Sequence, residues 1–562
     1  MPDTPSASSV PLSPDRPLVA RVPGPGKLSL TPEEAWQPLP AAQWDAAAAR
    51  HLLRRIGWTA RPSEVTRVMQ DGLAASLDRL FPAKANPFPA PQSLASLDEQ
   101  MAGMRAQRAA PAAGAARPAA QQVLNQDFRQ AEQDLAVRWL DFAVRPENTV
   151  TEKWTLFLSD IYVVSQEKVR NPQLVYAHHA LLRAGGLGPA PALTKAVSRS
   201  PAMVQYLDLG QSQRDAPNEN FARELFELFL LGEGNYTERD IKAAARAFTG
   251  YRQGQGEFFF ARPQHDPTAK TIFGRTGNFD GDDVINLAYT LPAAGAFVPH
   301  ELARFYLTDD PLPQRHLAAL GDWWRTAGGY DLRRLAQRFF SSRLFFDPAF
   351  RGNYIKSPVQ FLLGLTQDLE LDLVPIPRRT VNPLRTMGQI PFRPPNVRGW
   401  VGGRNWINSS TLAARRQAVE IAFAPLNEAS FNADEIAVLN EARAQGRGHF
   451  TFTGEHLAGL SALPPDRQAA ELTADFLPVP VDDAYRAAIR DFLATDTPAN
   501  SASPGGPPQP AARPGPVVRP GRAGRAGRAG APNATATADT RLLNRLSNAL
   551  VTILQSPEYQ LC

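Results

Sequence analysis

One cysteine in 562 residues, Cys562, leaves no second thiol for an intrachain disulfide, a CxxC redox pair, an iron–sulfur cluster or a thiolate zinc site. No run approaches 18 apolar residues, so no membrane span is expected. The proline-rich first 40 residues lack the apolar core of a secretory leader, which points to the cytoplasm. Nucleotide and hydrolase signatures are also missing: there is no GxxxxGK[ST], no GxGxxG after a strand and no GxSxG. Lysine is scarce, 8 against 52 arginines, and the net charge of +5 is local. Residues 501–538 hold Arg513, Arg519, Arg522, Arg525 and Arg528 and no acid, so the rest of the chain is neutral. A basic face for specific nucleic-acid binding is therefore not expected.

What is present is apolar periodicity of the helical kind. Asp45 precedes Ala48, Leu52 and Ile56, four apart on one face, and Gly57 follows as a stop. Thr151–Val164 is apolar on nearly every side and reads as a buried central helix. Strand patterns are scarce, the best being residues 256–260, expected to pair beside the glycine-rich segment near Phe273. The expected fold is mainly α: one large irregular helical domain over 41–500, with a minor β-hairpin element and long Pro/Gly/Ala-rich loops. Residues 1–40 read as an extended Pro/Ser-rich arm, and 82–120 as a loop insertion. The tract 501–538, ending in Arg-Ala-Gly triplets, reads as a disordered basic loop, because the apolar helix 539–562 follows and should pack back on the domain.

Metal signatures fail on their spacing. His300-Glu301-Leu302-Ala303-Arg304 lacks the second histidine one turn on. Asn278–Asp283 lacks the glycine of a calcium loop and is better read as a helix start capped by Asp282. No metal and no cofactor is assigned. Three segments carry chemistry instead. In Pro217–Gly232, Glu219, Arg223 and Glu227 lie four apart beside Asn220 and Glu224, on a helix apolar all round, so the charges are expected to be buried. Such a cluster is either an internal ionic strut or an acid/base site. His265-Asp266 with Lys270 is either a loop staple or part of a site. Phe392–Asn408 is a rigid Pro/Gly loop in which Asn396, Trp400 and Trp406 offer polar and flat apolar walls.

Across these segments the chain resembles the bacterial family known as domain of unknown function 1800. The matching stretches are His51–Arg55 with Gly57, Asn218–Thr237, His265-Asp266 with Lys270-Thr271 and Gly274, Asn353–Pro358, Pro394–Trp400 and Ser556–Gln560. The resemblance implies a helical fold, a periplasmic or envelope location, and a partner encoded nearby. That partner is a sulfatase/phosphatase-like protein of the domain of unknown function 1501 family. Where family members carry two histidines in a Trp-His-Asn-His-Phe segment, this chain has Leu158-Ser159-Asp160-Ile161-Tyr162.

Two readings follow. One is a helical accessory or scaffold protein that binds such a partner, or an anionic envelope polymer, through the tryptophan loop. The other is a hydrolase-like enzyme with Glu224, Glu227, His265 and Asp266 as catalytic groups, and Glu219, Asn220, Arg223, Lys270, Asn396, Trp400 and Trp406 as ligand contacts. A single pocket uniting Glu224, His265, Asn396 and Trp400 would favour the second.

Overall fold

The computed structural model describes residues 28–109, 117–454, 457–495 and 538–562. Among these the chain is mainly α, with two small antiparallel hairpins. The first long helix, Ala46–Ile56, starts where the Asp45 carboxylate accepts the Ala48 amide at 2.8 Å. Its Ala48, Leu52 and Ile56 face the core, as their spacing predicts. Arg55, on the same helix, is buried and donates to the carbonyls of Tyr306 and Leu307 and to Asn353 Oδ1. Its charge is thereby solvated by backbone dipoles rather than by water.

The central helix is Thr149–Ile161, and Trp154, Phe157 and Leu158 along it are nearly inaccessible. It packs against Pro172–Gly185, Pro292–Tyr306 and Ala46–Ile56. Pro292–Tyr306 in turn lies along Gln314–Thr326. These two helices meet backbone to backbone at Gly295 and Gly321; a Cβ on Gly295 would sit 2.9 Å from the Gly321 carbonyl. No larger residue fits that crossing without separating the helices.

Three expectations need correction. Residues 82–120 are not a loop insertion: they contain the helix Gln92–Ala109 and the start of Arg117–Ala143, which pack together. Small residues there, alanine above all, keep helical propensity although they supply little apolar pattern, and Leu94 and Leu97 suffice to anchor the turn. The hairpin partner was also misplaced. β1 (Tyr251–Gly254) pairs with β2 (Glu257–Phe260) across a tight turn, whereas β3 (Lys270–Ile272) and β4 (Arg275–Gly277) form a separate hairpin around Phe273-Gly274. The helix Gly281–Ala288 is capped by Asp280, not Asp282, with Asp283 completing the reciprocal capping box.

The helix Ala538–Gln555 lies against Ser409–Phe423 and Asp483–Ala494, with Leu546, Leu550 and Ile553 inward. The Arg-Ala-Gly tract lies outside the described residues, apart from Ala538, where this helix begins. Of the N-terminal arm, Trp36 is buried and donates its indole hydrogen to the His316 carbonyl at 2.7 Å. Among the described residues no helix is long and apolar enough to cross a membrane.

Candidate functional site

The central helix, the helix Pro292–Tyr306 and the loop through Trp400 and Trp406 enclose a cavity of about 950 Å³. On the central helix, Lys153, Leu156 and Asp160 recur at three and four residues, so one face of an otherwise sealed helix is turned to this space. Glu301 and Arg304 come from the facing helix, Glu227 and Leu228 from the end of the Pro217–Gly232 segment, and Tyr354 and Ser357 from the turn before Pro358–Asp368.

Charge in the cavity is paired along a chain. Arg304 bridges Asp160 at 3.1 Å and Glu301 at 2.8 Å, and the second oxygen of Asp160 accepts the Trp400 amide at 3.0 Å. Burial pushes the Asp160 carboxyl up to about 6, although Arg304 and the Trp400 amide oppose it. Burial acts on Glu301 in the same sense, but His300 and Arg304 outweigh it and hold that carboxyl below its ordinary range. Lys153 is 4% exposed and donates to the Gly57 carbonyl at 2.8 Å, with the Trp58 and Tyr306 rings beside it. Burial, helped by Arg55 and Lys356 and opposed by Cys562, brings its ammonium down to about 7.

The tryptophan loop is seated on acids. Gly399 has φ +78°, and a Cβ there would lie 2.1 Å from Asp160 Oδ1. At Gly403, φ +64°, a Cβ would lie 2.4 Å from Oδ1 of the Asp309 carboxylate, whose proton affinity is raised by burial and by Asp310. Trp400 and Trp406 each remain 7% exposed and line the cavity.

The structure therefore gathers Glu227, Trp400 and Trp406 at one site and distributes the other predicted residues. Glu227 accepts from Arg398 at 2.6 Å and from the Tyr236 hydroxyl at 3.1 Å, not from Arg223. Glu224 and Asn220 line a neighbouring cleft of about 380 Å³ with Lys168, Tyr206 and Pro395. Burial and the Glu227 charge raise the Glu224 carboxyl. Asn396 shapes the loop: its side chain accepts the Arg398 amide and its carbonyl the Gly399 amide.

Two expectations about these residues fail. The Glu219–Arg223 pair is not buried: Arg223, its side chain 36% exposed, bonds Glu219 at 3.3 Å and Glu238 at 2.7 Å on the surface. The apolar residues around it are sealed, but the polar side chains emerge where the helix leaves the core. A buried Arg–Glu cluster does exist, on other residues. Glu152, completely inaccessible on the central helix, is held by Arg183, by His179 at 3.1 Å and by the Trp139 indole at 2.7 Å. Burial raises its carboxyl, yet His179 and Arg183 more than reverse the effect and keep it low.

His265, Asp266 and Lys270 do not reach the cavity. Asp266 bonds Arg246 at 2.6 Å and the Thr268 amide at 2.9 Å, Lys270 donates to the carbonyls of Asp266 and Thr268, and His265 Nδ1 bonds the Thr249 carbonyl at 3.0 Å. The Arg246 and Thr249 contacts tie this loop to the helix Glu238–Ala247 and its C-terminal turn, and the Thr268 and Lys270 contacts brace the loop internally ahead of β3. Among the described residues no group of three His, Cys, Asp or Glu is arranged to hold a metal ion.

Lys153, Asp160, Glu301 and Arg304 were missed as site residues. Lys153, one of only 8 lysines, inside an apolar helix was the legible signal. Glu301 and Arg304 stood in the segment that failed as a zinc motif.

Fold and cavity together define a mainly α protein built around one titratable, tryptophan-walled chamber. The chain belongs to the family described as Protein of unknown function (DUF1800), whose family model matches residues 51–561. Comparisons with curated proteins and with solved structures found no match.

Proposed function

We propose that the chain is a helical accessory protein that takes a polyhydroxylated segment of an envelope polymer into the cavity behind the tryptophan loop. The observation that carries this reading is the meeting of Trp400 and Trp406 with the Asp160–Arg304–Glu301 cluster in one chamber. Aromatic faces pack on the C–H faces of a sugar ring, while carboxylates and a guanidinium exchange hydrogen bonds with its hydroxyls. A sulfatase/phosphatase-like partner would act on the polymer so held. The test is calorimetric titration of the protein with size-fractionated envelope polysaccharide. Trp400→Ala weakens binding at least tenfold and His265→Ala leaves it unchanged; equal binding by Trp400→Ala and wild type removes the reading.

A second reading is favoured by one observation. Asp160 and Glu301 share Arg304, yet their surroundings move them in opposite directions, one toward the protonated form near neutral pH and one away from it. That division suits a general acid and a general base acting on a bound glycoside. Release of new reducing ends by wild type, lost in Asp160→Asn with binding retained, supports hydrolysis; binding without turnover in wild type leaves the accessory reading alone.

A further inference from the structure

We propose that Lys153 is a nucleophilic amine that condenses with the carbonyl group of a small polyhydroxylated aldehyde admitted to the cavity. Three observations carry it. Lys153 lines the chamber from the central helix, its ammonium donates to Gly57 O at 2.8 Å, and among the described residues it has no ion-pair partner. Two other buried lysines make contacts of the same kinds but do not line the cavity. Lys270 is clamped by two carbonyls away from the cavity, and Lys356 sits 3.6 Å above the Tyr559 ring, outside the lining. Lys153 alone of the three lines the cavity, beside the Trp58 and Tyr306 rings at 5.9 and 5.6 Å.

The surroundings also select the electrophile. Aromatic walls beside the amine leave its lone pair free, since burial brings the ammonium down to about 7 and much of it is deprotonated at neutral pH. Ser357, Gln360 and the carboxylate of Asp160 further along the same face suit the hydroxyls of an aldose-like chain. Lys153 and Asp160 lie about 10.5 Å apart along the helix axis, and both line the cavity, so the amine and the carboxylate enter it at two levels.

The step balances without an oxidant. The amine lone pair attacks the carbonyl carbon, a C–N bond forms, and the oxygen takes up the proton that the nitrogen gives up. The resulting carbinolamine loses its hydroxyl as water, with a proton from solvent, and the nitrogen's last proton returns to solvent as the C=N bond forms. The inference goes beyond polymer binding and does not depend on it.

The test uses the full chain with glyceraldehyde as probe and cyanoborohydride as trapping reductant at pH 7, followed by peptide mass mapping of the 8 lysines. The expected result is an adduct of glyceraldehyde less one oxygen, formed at Lys153 about tenfold faster than at the exposed Lys168 and Lys242. Omitting the reductant leaves no stable adduct, and Lys153→Arg lowers the adduct count of the intact protein by one. Labelling of Lys153 no faster than Lys242 overturns the proposal; because that comparison is made within the wild-type chain, it holds whether or not the variant folds.

Discussion

Asp160 and Trp400, 240 residues apart, are joined by a hydrogen bond of 3.0 Å from the Trp400 amide to a carboxylate oxygen. The other oxygen of Asp160 holds Arg304. The tryptophan loop is therefore fastened, through one buried acid, to both helices that face it across the cavity. Its position is set by electrostatics as much as by packing.

This fastening has a pH signature. The folded chain holds the Asp160 proton up to about pH 6, whereas an unfolded aspartate releases it near 4. The folded state therefore binds the proton more tightly, and this group's stabilising contribution, full below pH 4, declines as pH rises toward 6. Asp160→Asn keeps an acceptor for Trp400 and removes that decline. Melting curves should show the variant gaining on wild type between pH 4 and pH 7, by on the order of 3 kcal/mol at most. An equal offset at both pH values would refute the assignment.

Lys153 carries the opposite slope. With its folded value near 7 and an unfolded value near 10, the folded state binds the proton less tightly between them. Stability attributable to this residue therefore rises as pH goes from 7 toward 10. Guanidinium midpoints for Lys153→Met against wild type at pH 7 and pH 9.5 should show the rise in wild type only.

Gly399→Ala tests the seat of the loop. The substitution places a Cβ against Asp160 in a left-handed backbone conformation. A loss of about 2 kcal/mol or more in urea unfolding is expected, together with weaker polymer binding. Full stability in this variant would mean that the loop does not rest on Asp160 in solution.

The Glu152 cluster predicts an asymmetry. Arg183→Met leaves Glu152 buried with His179 and the Trp139 indole as its remaining donors and should cost about 3–5 kcal/mol. The double variant Arg183→Met with Glu152→Gln should recover part of that loss, since no uncompensated charge is left inside. A double-mutant cycle by chemical denaturation measures the coupling.

Lys270→Met supplies the contrast. It removes two hydrogen bonds to carbonyls in the loop before β3 and should lower stability, while ligand affinity at the distant cavity stays at the wild-type value. A matching loss of affinity would return the His265–Lys270 loop to the site.

Helices announced themselves in the sequence where apolar residues recurred every three to four positions, as in Ala46–Ile56 and Ala538–Gln555. They hid where alanine or proline diluted that recurrence, as in Gln92–Ala109 and in Pro377–Met387, which holds Pro383 within it. The tryptophan loop was legible because its glycines and prolines are dense and its indoles large. Asp160, Glu301 and Arg304 were not, because each is an ordinary charged residue whose meaning comes from three segments converging. The burial of Arg223 was wrongly inferred because apolar neighbours on all sides of a helix say nothing about where its ends emerge.

The stretch Leu225–Leu230 is wound as a π-helix, its hydrogen bonds spanning one residue more than those of the α-helix Asn220–Glu224 that leads into it. The wider turn behaves as a one-residue insertion inside a helix: it resets the facing of everything after it. Glu224 thereby addresses the smaller cleft while Glu227, three residues on, addresses the main chamber, so one helix serves as the partition between two compartments. Deleting a single residue from Leu228–Leu230 would cancel that insertion and restore regular winding, so the segment beyond Leu231 would keep its facing while Glu227, inside the shortened stretch, would shift against Arg398, disturbing the link between the partition and the tryptophan loop without removing either.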